Sequence, residues 1–294
     1  MRLVHLTDPH LSHLDGVTFS SLRGKRWSGY ISWCKNRRQH YLPGVLDRLS
    51  AAVKAEHADQ ILLTGDLVQI GLETEIAQAT NWLETLGSAD RVMLVPGNHD
   101  IYAAGSSDEV HRAWAKYLFK SIQNDGDFPV VCKLGKLTLI GLSSACVTPL
   151  FMASGKLGQG QIERLVSLLD EAAAERQFVC LLIHHPPLPG MTNWRKGLAD
   201  AVALQAVLDR YPSMLILHGH LHHNREQGLG DTRIYCTAAA SSASEASFRV
   251  FDIEDLGASW SLHMALKTLV LNQQQELGFS IVDEQVWQIP KQRS

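Results

Sequence analysis

The sequence predicts an α/β fold, and three observations carry that expectation. Short apolar runs recur at 3–6, 61–63, 92–95, 137–142, 178–183 and 214–217. Their length and β-branched content favour buried strands. Stretches of helical period separate them, which predicts mainly parallel pairing in the first half. The end of the chain differs: runs at 233–237, 248–253 and 259–269 follow one another without helices, and this predicts an antiparallel finish.

The helical stretches follow in order. Leu46, Leu49 and Val53 share one face, as do Ile76, Leu83 and Leu86, with Gly87 placed as a stop. Ile162, Leu165, Val166 and Leu169 repeat the pattern. Leu204, Val207 and Leu208 do so behind Asp200, a candidate N-cap. No internal repeat or low-complexity linker divides the 294 residues, so a single domain over 1–294 is expected.

Composition bounds the function. A hydrophobic content of 45% supports a sizeable core. A net charge of -3 lacks the basic excess of a protein that grips nucleic acid, so no stable nucleic-acid partner is expected. Asp8 and His10 interrupt the opening apolar stretch, and no window approaches the ~20 apolar residues of a membrane span. A cytoplasmic protein is expected. Cys34, Cys132, Cys146, Cys180 and Cys236 form no C-x-x-C pair and read as free thiols.

One segment departs from this background. Residues 16–46 hold no acid but six bases: Arg23, Lys25, Arg26, Lys35, Arg37 and Arg38. Trp27, Tyr30, Ile31 and Cys34 fall at i, i+3, i+4 and i+7 within it. The expectation is a basic, aromatic helical insertion after the first strand. It would serve as a cap, as a peripheral contact of residues 16–41 with the inner membrane surface or a lipid, or as a packing element.

Five motifs close five of the predicted strands: Asp8-Pro9-His10, Gly65-Asp66, Gly97-Asn98-His99-Asp100, His184-His185 and Gly219-His220-Leu221-His222. Ligands of open α/β sheets bind outside strand C-termini, so these residues should converge. A lone D-x-H or G-D is common in turns and caps; the ordered set of five is not. Imidazole with carboxylate suits borderline divalent ions, and no cysteine joins the set. Seven candidates, Asp8, His10, Asp66, Asn98, His184, His220 and His222, exceed one tetrahedral ion. They suit two ions sharing a carboxylate, for which Asp66 is the natural bridge. The glycines before Asp66, Asn98 and His220 would let the backbone approach closely.

On these motifs the chain resembles the calcineurin-like metallophosphoesterase superfamily, from Asp8 to His222 and on through the strand-rich tail to Leu269. The T-D-P-H-L start, G-N-H-D, H-H-P-P and G-H-L-H are most similar to bacterial class III cyclic-nucleotide phosphodiesterases, those acting on cyclic AMP foremost. The resemblance implies a four-layer αββα sandwich of two mixed β-sheets flanked by helices. It implies one metal on Asp8, His10, Asp66 and His222, and a second on Asp66, Asn98, His184 and His220. Manganese or iron is expected, and zinc also fits. His99 is implied as the non-ligand histidine beside the leaving group, with Asn98 offsetting phosphoryl charge. Asp100 either orients His99 or caps the next segment. His185, His223, Arg26 and Trp27 are candidates for substrate contact.

The expected activity is hydrolysis of a small phosphodiester. The alternative is a lipid-linked phosphoester of the kind cleaved by UDP-diacylglucosamine pyrophosphatases, although many of those carry Arg where this chain has His99. A non-catalytic scaffold of the same fold would have lost ligands, and all seven positions are filled here.

Overall fold

A computed structural model describes the chain apart from residues 12–13, 15–16, 39–42, 119–126, 272–276 and 292–294. In chain order, β1 is Arg2–Leu6, α1 Lys25–Ser32, α2 Pro43–Ala55, β2 Gln60–Leu63, α3 Glu73–Leu86 and β3 Val92–Leu94. Then come α4 Ser106–Trp114, β4 Val130–Leu134, β5 Leu137–Gly141, α5 Gln159–Ala174, β6 Phe178–Leu182, α6 Ala201–Leu208 and β7 Met214–His218. The chain ends with β8 Arg225–Leu229, β9 Thr232–Cys236, β10 Ser247–Asp255, β11 Ser259–Leu271 and β12 Leu277–Pro290.

Two mixed six-stranded sheets form, in the orders β12-β11-β10-β1-β2-β3 and β4-β5-β6-β7-β9-β8. In the first, β1, β2 and β3 run parallel, and β10 to β12 add an antiparallel meander. In the second, β5, β6, β7 and β9 are parallel, with β4 and β8 as antiparallel edges. The antiparallel finish therefore holds for β10 to β12, and for β9 only against β8, since β9 lies parallel to β7. The reason is β8, an exposed polar strand with no apolar alternation, which returns the chain before β9.

Strand β6 shows how the layers are held. Phe178, Cys180 and Leu182 point into the core that both sheets share. Val179, Leu181 and Ile183 point into a second core with Leu165 and Leu169 of α5 and Leu204 and Leu208 of α6. A strand covered on both faces reads as a continuous apolar run, which is how it was found. On the first sheet, Leu49 and Val53 of α2 and Ile76 and Leu83 of α3 cover the outer face. Gly87 ends α3 with extended backbone rather than a left-handed cap. Asp200 is the N-cap of α6, but its carboxylate accepts the N–H groups of Leu157 and Gly158 instead of capping.

The insertion over 16–46 is helical after β1, but residues 16 and 39–42 of it lie outside the described residues. Helix α1 runs on through a π-helical turn at Trp33–Arg37. The face defined by the i, i+3, i+4, i+7 spacing is not the buried one. Trp27, Ile31 and Cys34 are exposed, whereas Gly29 and Trp33 are buried. The cause is Gly29: a Cβ there would overlap Tyr102 Oη and Ile70 Cγ2. The helix backbone therefore sits directly on Tyr102, and Trp33 enters a small cluster with Leu14, Leu22, Ile70 and Leu72.

Leu182 is fully buried in the core between the sheets. Leu182→Ala should lower unfolding stability by about 2–5 kcal/mol, read from urea titration, with unchanged far-UV circular dichroism.

Candidate metal centre

Each of the five motifs begins within three residues of the end of a strand: β1, β2 and β3 of the first sheet, β6 and β7 of the second. The site thus lies where the C-terminal edges of both sheets meet. The loops are tied by backbone bonds. Asp8 N–H donates to Gly65 O at 3.0 Å, His10 N–H to Asp66 O at 3.1 Å, and Gly219 N–H to His184 O at 3.1 Å. His220 N–H donates to Asp8 Oδ2 at 3.0 Å and so joins the two sheets.

The glycines behave as expected. Gly65 is left-handed, with φ of 88°, and a Cβ on it would overlap the Gly97 backbone. A Cβ on Gly97 would strike Asp66 in turn. Asp8, His10, Asp66, His220 and His222 also adopt positive φ, between 42° and 70°. Left-handed backbone costs non-glycine residues on the order of 1–2 kcal/mol each. Five of seven candidate ligands carry that strain, which marks the loops as shaped for a task other than stability.

All seven side chains converge. His222 Nε2 lies 3.1 Å from Asp8 Oδ1 and 3.3 Å from His10 Nε2. His184 Nε2 lies 3.4 Å from Asp66 Oδ2, 3.2 Å from Asn98 Oδ1 and 3.3 Å from His220 Nδ1. The donor atoms of Asp8, His10, Asp66 and His222 are within 4.8 Å of one another, and so are those of His184, His185 and His220. The far nitrogens of two rings are committed to carbonyls: His10 Nδ1 donates to Val68 O at 3.1 Å and His184 Nδ1 to Thr64 O at 2.6 Å. That fixes the tautomer and turns a lone pair inward. Asp8 Oδ1, fully buried, accepts no hydrogen bond. Inward lone pairs and an unsatisfied buried carboxylate oxygen fit metal cations, and the cluster is compatible with a dinuclear metal site.

The electrostatics agree. Burial pushes Asp66 up, but the imidazoles of His184 and His99 outweigh it and hold the carboxyl well below its usual range. Burial lowers His184, yet Asp66 overrides it and raises the imidazole to about 9. Metal binding at His184 must therefore displace a proton. Burial, then His184, brings His185 down to about 3.

The remaining candidates separate. His99 lines the cleft above the cluster, its N–H donating to Asp66 Oδ1 at 2.7 Å and its Nδ1 to Gln69 O at 2.5 Å. Asp100 does not orient it. Its fully buried carboxylate accepts four backbone N–H groups: Asp66 at 2.9 Å, Leu67 at 2.8 Å, Val68 at 3.2 Å and Gly97 at 2.8 Å. Asp100 is thus a clip between the second and third motifs rather than a catalytic group. Burial, then the Asp66 charge, pushes it up to about 7, and the N–H groups of Gly97 and Val68 oppose that rise.

His185 is not substrate-facing. Its Nδ1 pairs with Ser144 Oγ at 2.8 Å and its Nε2 with Ala153 O at 3.2 Å, so both nitrogens are used beneath His220. His223 is exposed and faces Glu245 at 3.3 Å, away from the cleft lining. Arg26 is turned from the cleft to Ile70 O, Gly71 O and Ser106 Oγ. Trp27 packs on Phe19 instead, with ring centres 5.7 Å apart.

Among the other residues that line the cleft, whose volume is about 660 Å³, are Lys25, Tyr102, Arg195 and Lys196. Lys25 Nζ donates to Thr148 Oγ1 at 2.6 Å and lies 4.6 Å from the Tyr102 ring centre. Lys25 was visible only as one of six bases, and the loop bearing Arg195 and Lys196 carried no signal.

Two mixed sheets with a histidine–aspartate cluster at their shared edge define a metal-dependent phosphoester hydrolase. Residues 1–224 match the family model of calcineurin-like phosphoesterases, and the chain belongs to that family. A probable cyclic nucleotide phosphodiesterase of Synechococcus sp. (strain WH7803) is 30% identical over 280 residues, 88% of each chain. A probable cyclic nucleotide phosphodiesterase of Vesicomyosocius okutanii subsp. Calyptogena okutanii (strain HA) is 26% identical over 239 residues, covering 77% of this chain and 93% of its own. The 3',5'-cyclic adenosine monophosphate phosphodiesterase CpdA of Escherichia coli (strain K12) is 25% identical over 267 residues, covering 88% and 83%. A dimetal phosphatase from Danio rerio shares the fold, with a TM-score of 0.63, 15% identity and 99% of both chains covered.

Asp100→Ala strands four buried N–H groups. It should lower stability by roughly 3 kcal/mol or more and reduce metal content after dialysis, read by urea unfolding and elemental analysis. Wild-type stability and loading would reject the clip.

Proposed function

We propose that this chain is a phosphodiesterase acting on cyclic nucleotides or related small diesters, using two metal ions. Asp8, His10, Asp66 and His222 hold one ion; Asp66, Asn98, His184 and His220 hold the other. The observation that carries this reading is the convergence of seven donors from five strand ends beneath one cleft, with His99 at its floor. Three curated relatives named as cyclic nucleotide phosphodiesterases support the substrate class. Manganese or iron suits the nitrogen and oxygen donors, with zinc next.

Ions held there would supply positive charge to activate a water and to offset charge on the phosphoryl group. The protein supplies position and a proton. Gln69 O, accepting from His99 Nδ1, stabilises the imidazolium, so that the opposite nitrogen delivers a proton to the leaving alkoxide. Asn98 offsets charge on the phosphoryl oxygens as well as holding metal. Residues 16–46 act as a cap within one phosphoesterase domain; the contribution of α1 to the cleft wall supports this. We place the enzyme in the cytoplasm, where its five free thiols stay reduced.

A second reading, a lipid-linked phosphoester, is favoured by Lys25, Arg195 and Lys196 on the cleft wall beside the exposed Phe151. A panel of cyclic AMP, cyclic GMP, a UDP-linked lipid and an aryl diester separates the two. Faster turnover of the lipid would replace the substrate class and leave the chemistry standing.

With manganese, the purified protein should cleave bis(p-nitrophenyl) phosphate; absence of turnover in every divalent metal would sink the reading. His99→Ala should keep both metals by elemental analysis and lose roughly 10²–10⁴-fold in kcat. A retained rate would remove His99 from the proton path.

A further inference from the structure

We infer that the rim of the cleft is a docking surface for an anionic lipid bilayer. Among the described residues, the exposed Phe and Trp side chains are Phe19, Trp27, Phe151 and Trp194, all on segments that also contribute to the cleft lining or adjoin it. Ile31, Val147 and Leu150 are exposed beside them. These seven side chains come from three segments, 17–38, 147–153 and 191–197, which meet around the mouth. Lys25 Nζ donates to Thr148 Oγ1 and, at 3.3 Å, to Met152 O. Ala153 N–H donates to Arg195 O at 2.9 Å. The three segments that carry these apolar residues therefore border one opening.

The exposure is not incidental. Phe151 is 84% exposed, Phe19 78% and Trp194 71%. Phe151 holds a φ of 64°, a conformation that a bulky side chain adopts only at a cost. A loop that bears strain to hold a phenyl ring in water is shaped for something that later covers the ring.

Charge selects the partner. The three segments together hold eight Lys or Arg and no Asp or Glu. The rest of the chain holds nineteen bases against thirty acids, so the rim is basic on an otherwise acidic molecule. Aromatic and aliphatic residues interspersed with cations are what the interface of an anionic bilayer takes up. A single-stranded nucleic acid would use the aromatic rings, but Ile31, Val147 and Leu150 offer it no stacking face. No helix among the described residues is long and apolar enough to span, so the contact is peripheral. It extends the insertion's expected lipid contact to two loops that bore no signal, and it sets the cleft mouth against the bilayer.

The test is pelleting with vesicles of phosphatidylcholine, with and without phosphatidylglycerol, in the absence of substrate. Wild-type protein should pellet with the anionic vesicles and be released by salt. Phe19→Ser/Leu150→Ser/Trp194→Ser should weaken partitioning about tenfold or more. Arg23→Glu/Lys35→Glu should weaken it at least roughly tenfold, and only on anionic vesicles. None of the five lines the cleft, so turnover of a soluble diester should stay at the wild-type level and report intact folding. Binding is read separately from hydrolysis, so a failed substrate class leaves this result interpretable. Wild-type protein that ignores anionic vesicles, variants that pellet like wild type, or tighter binding to single-stranded oligonucleotides than to vesicles would each overturn the inference.

Discussion

Gly65 and Gly97 pass so close that neither has room for a methyl group, and the Asp100 carboxylate sits behind both. That contact brings the loop after β2 against the loop after β3. It places Asp66, Asn98 and His99 in one corner, and the His99 N–H then orients the Asp66 carboxylate. Four charge-assisted bonds from backbone N–H groups offset part of the strain in the left-handed loops. They cannot be supplied by a side chain on the surface, because the acceptor must reach two loops at once. A buried anion is costly alone. Here the fixed backbone dipoles of the loops that it joins oppose that cost, while burial and the Asp66 charge still hold its carboxyl up to about 7.

The second sheet depends on that corner. His184 reaches from the end of β6 to Thr64 O and Asp66, and His220 reaches from the end of β7 to Asp8. Beneath them His185 spends both nitrogens on Ser144 and Ala153. The loop that carries Met152 and Phe151 to the rim is thereby tied to the floor of the metal centre. Glu75 has a parallel role on the first sheet. Its carboxylate accepts the N–H groups of Gln69, Ile70 and Leu72, which holds in place the carbonyl that orients His99.

The candidate ligands stand out in the sequence because their types are wrong for their positions. Histidine, asparagine and aspartate directly after apolar runs make poor strand continuations, so a task is the simpler account. Strands β5 to β7 were visible for the complementary reason, being apolar on both faces. Strands β8 and β12 were not, because their exposed faces carry polar residues that erase the period. Helix α4 was missed because its apolar positions are few within Ser106–Trp114. The role of Asp100 was hidden since a side chain that bonds backbone leaves no partner to find in a motif. The buried face of α1 was not legible because spacing points to large residues, whereas the docking point is Gly29, which has no side chain at all.

That last point separates chemistry from recognition. Helix α1 is fastened by Gly29 against Tyr102 and by the Arg26 guanidinium on Ile70 O, Gly71 O and Ser106 Oγ. None of these anchors is a candidate ligand, and Trp27 and Ile31 on the opposite side contribute nothing to them. The outer face of the cap can therefore change composition while Tyr102 still stacks on His99, with ring centres 5.6 Å apart. The metal corner is held by backbone bonds and the buried Asp100 carboxylate, whereas the two loops at the cleft mouth are joined by backbone bonds, with α1 fastened beside them by Gly29, Arg26 and Lys25. The cleft wall contributed by α1 and the two loops is thus built from elements whose sequence is nearly free of the constraints that make the candidate metal motifs recognisable.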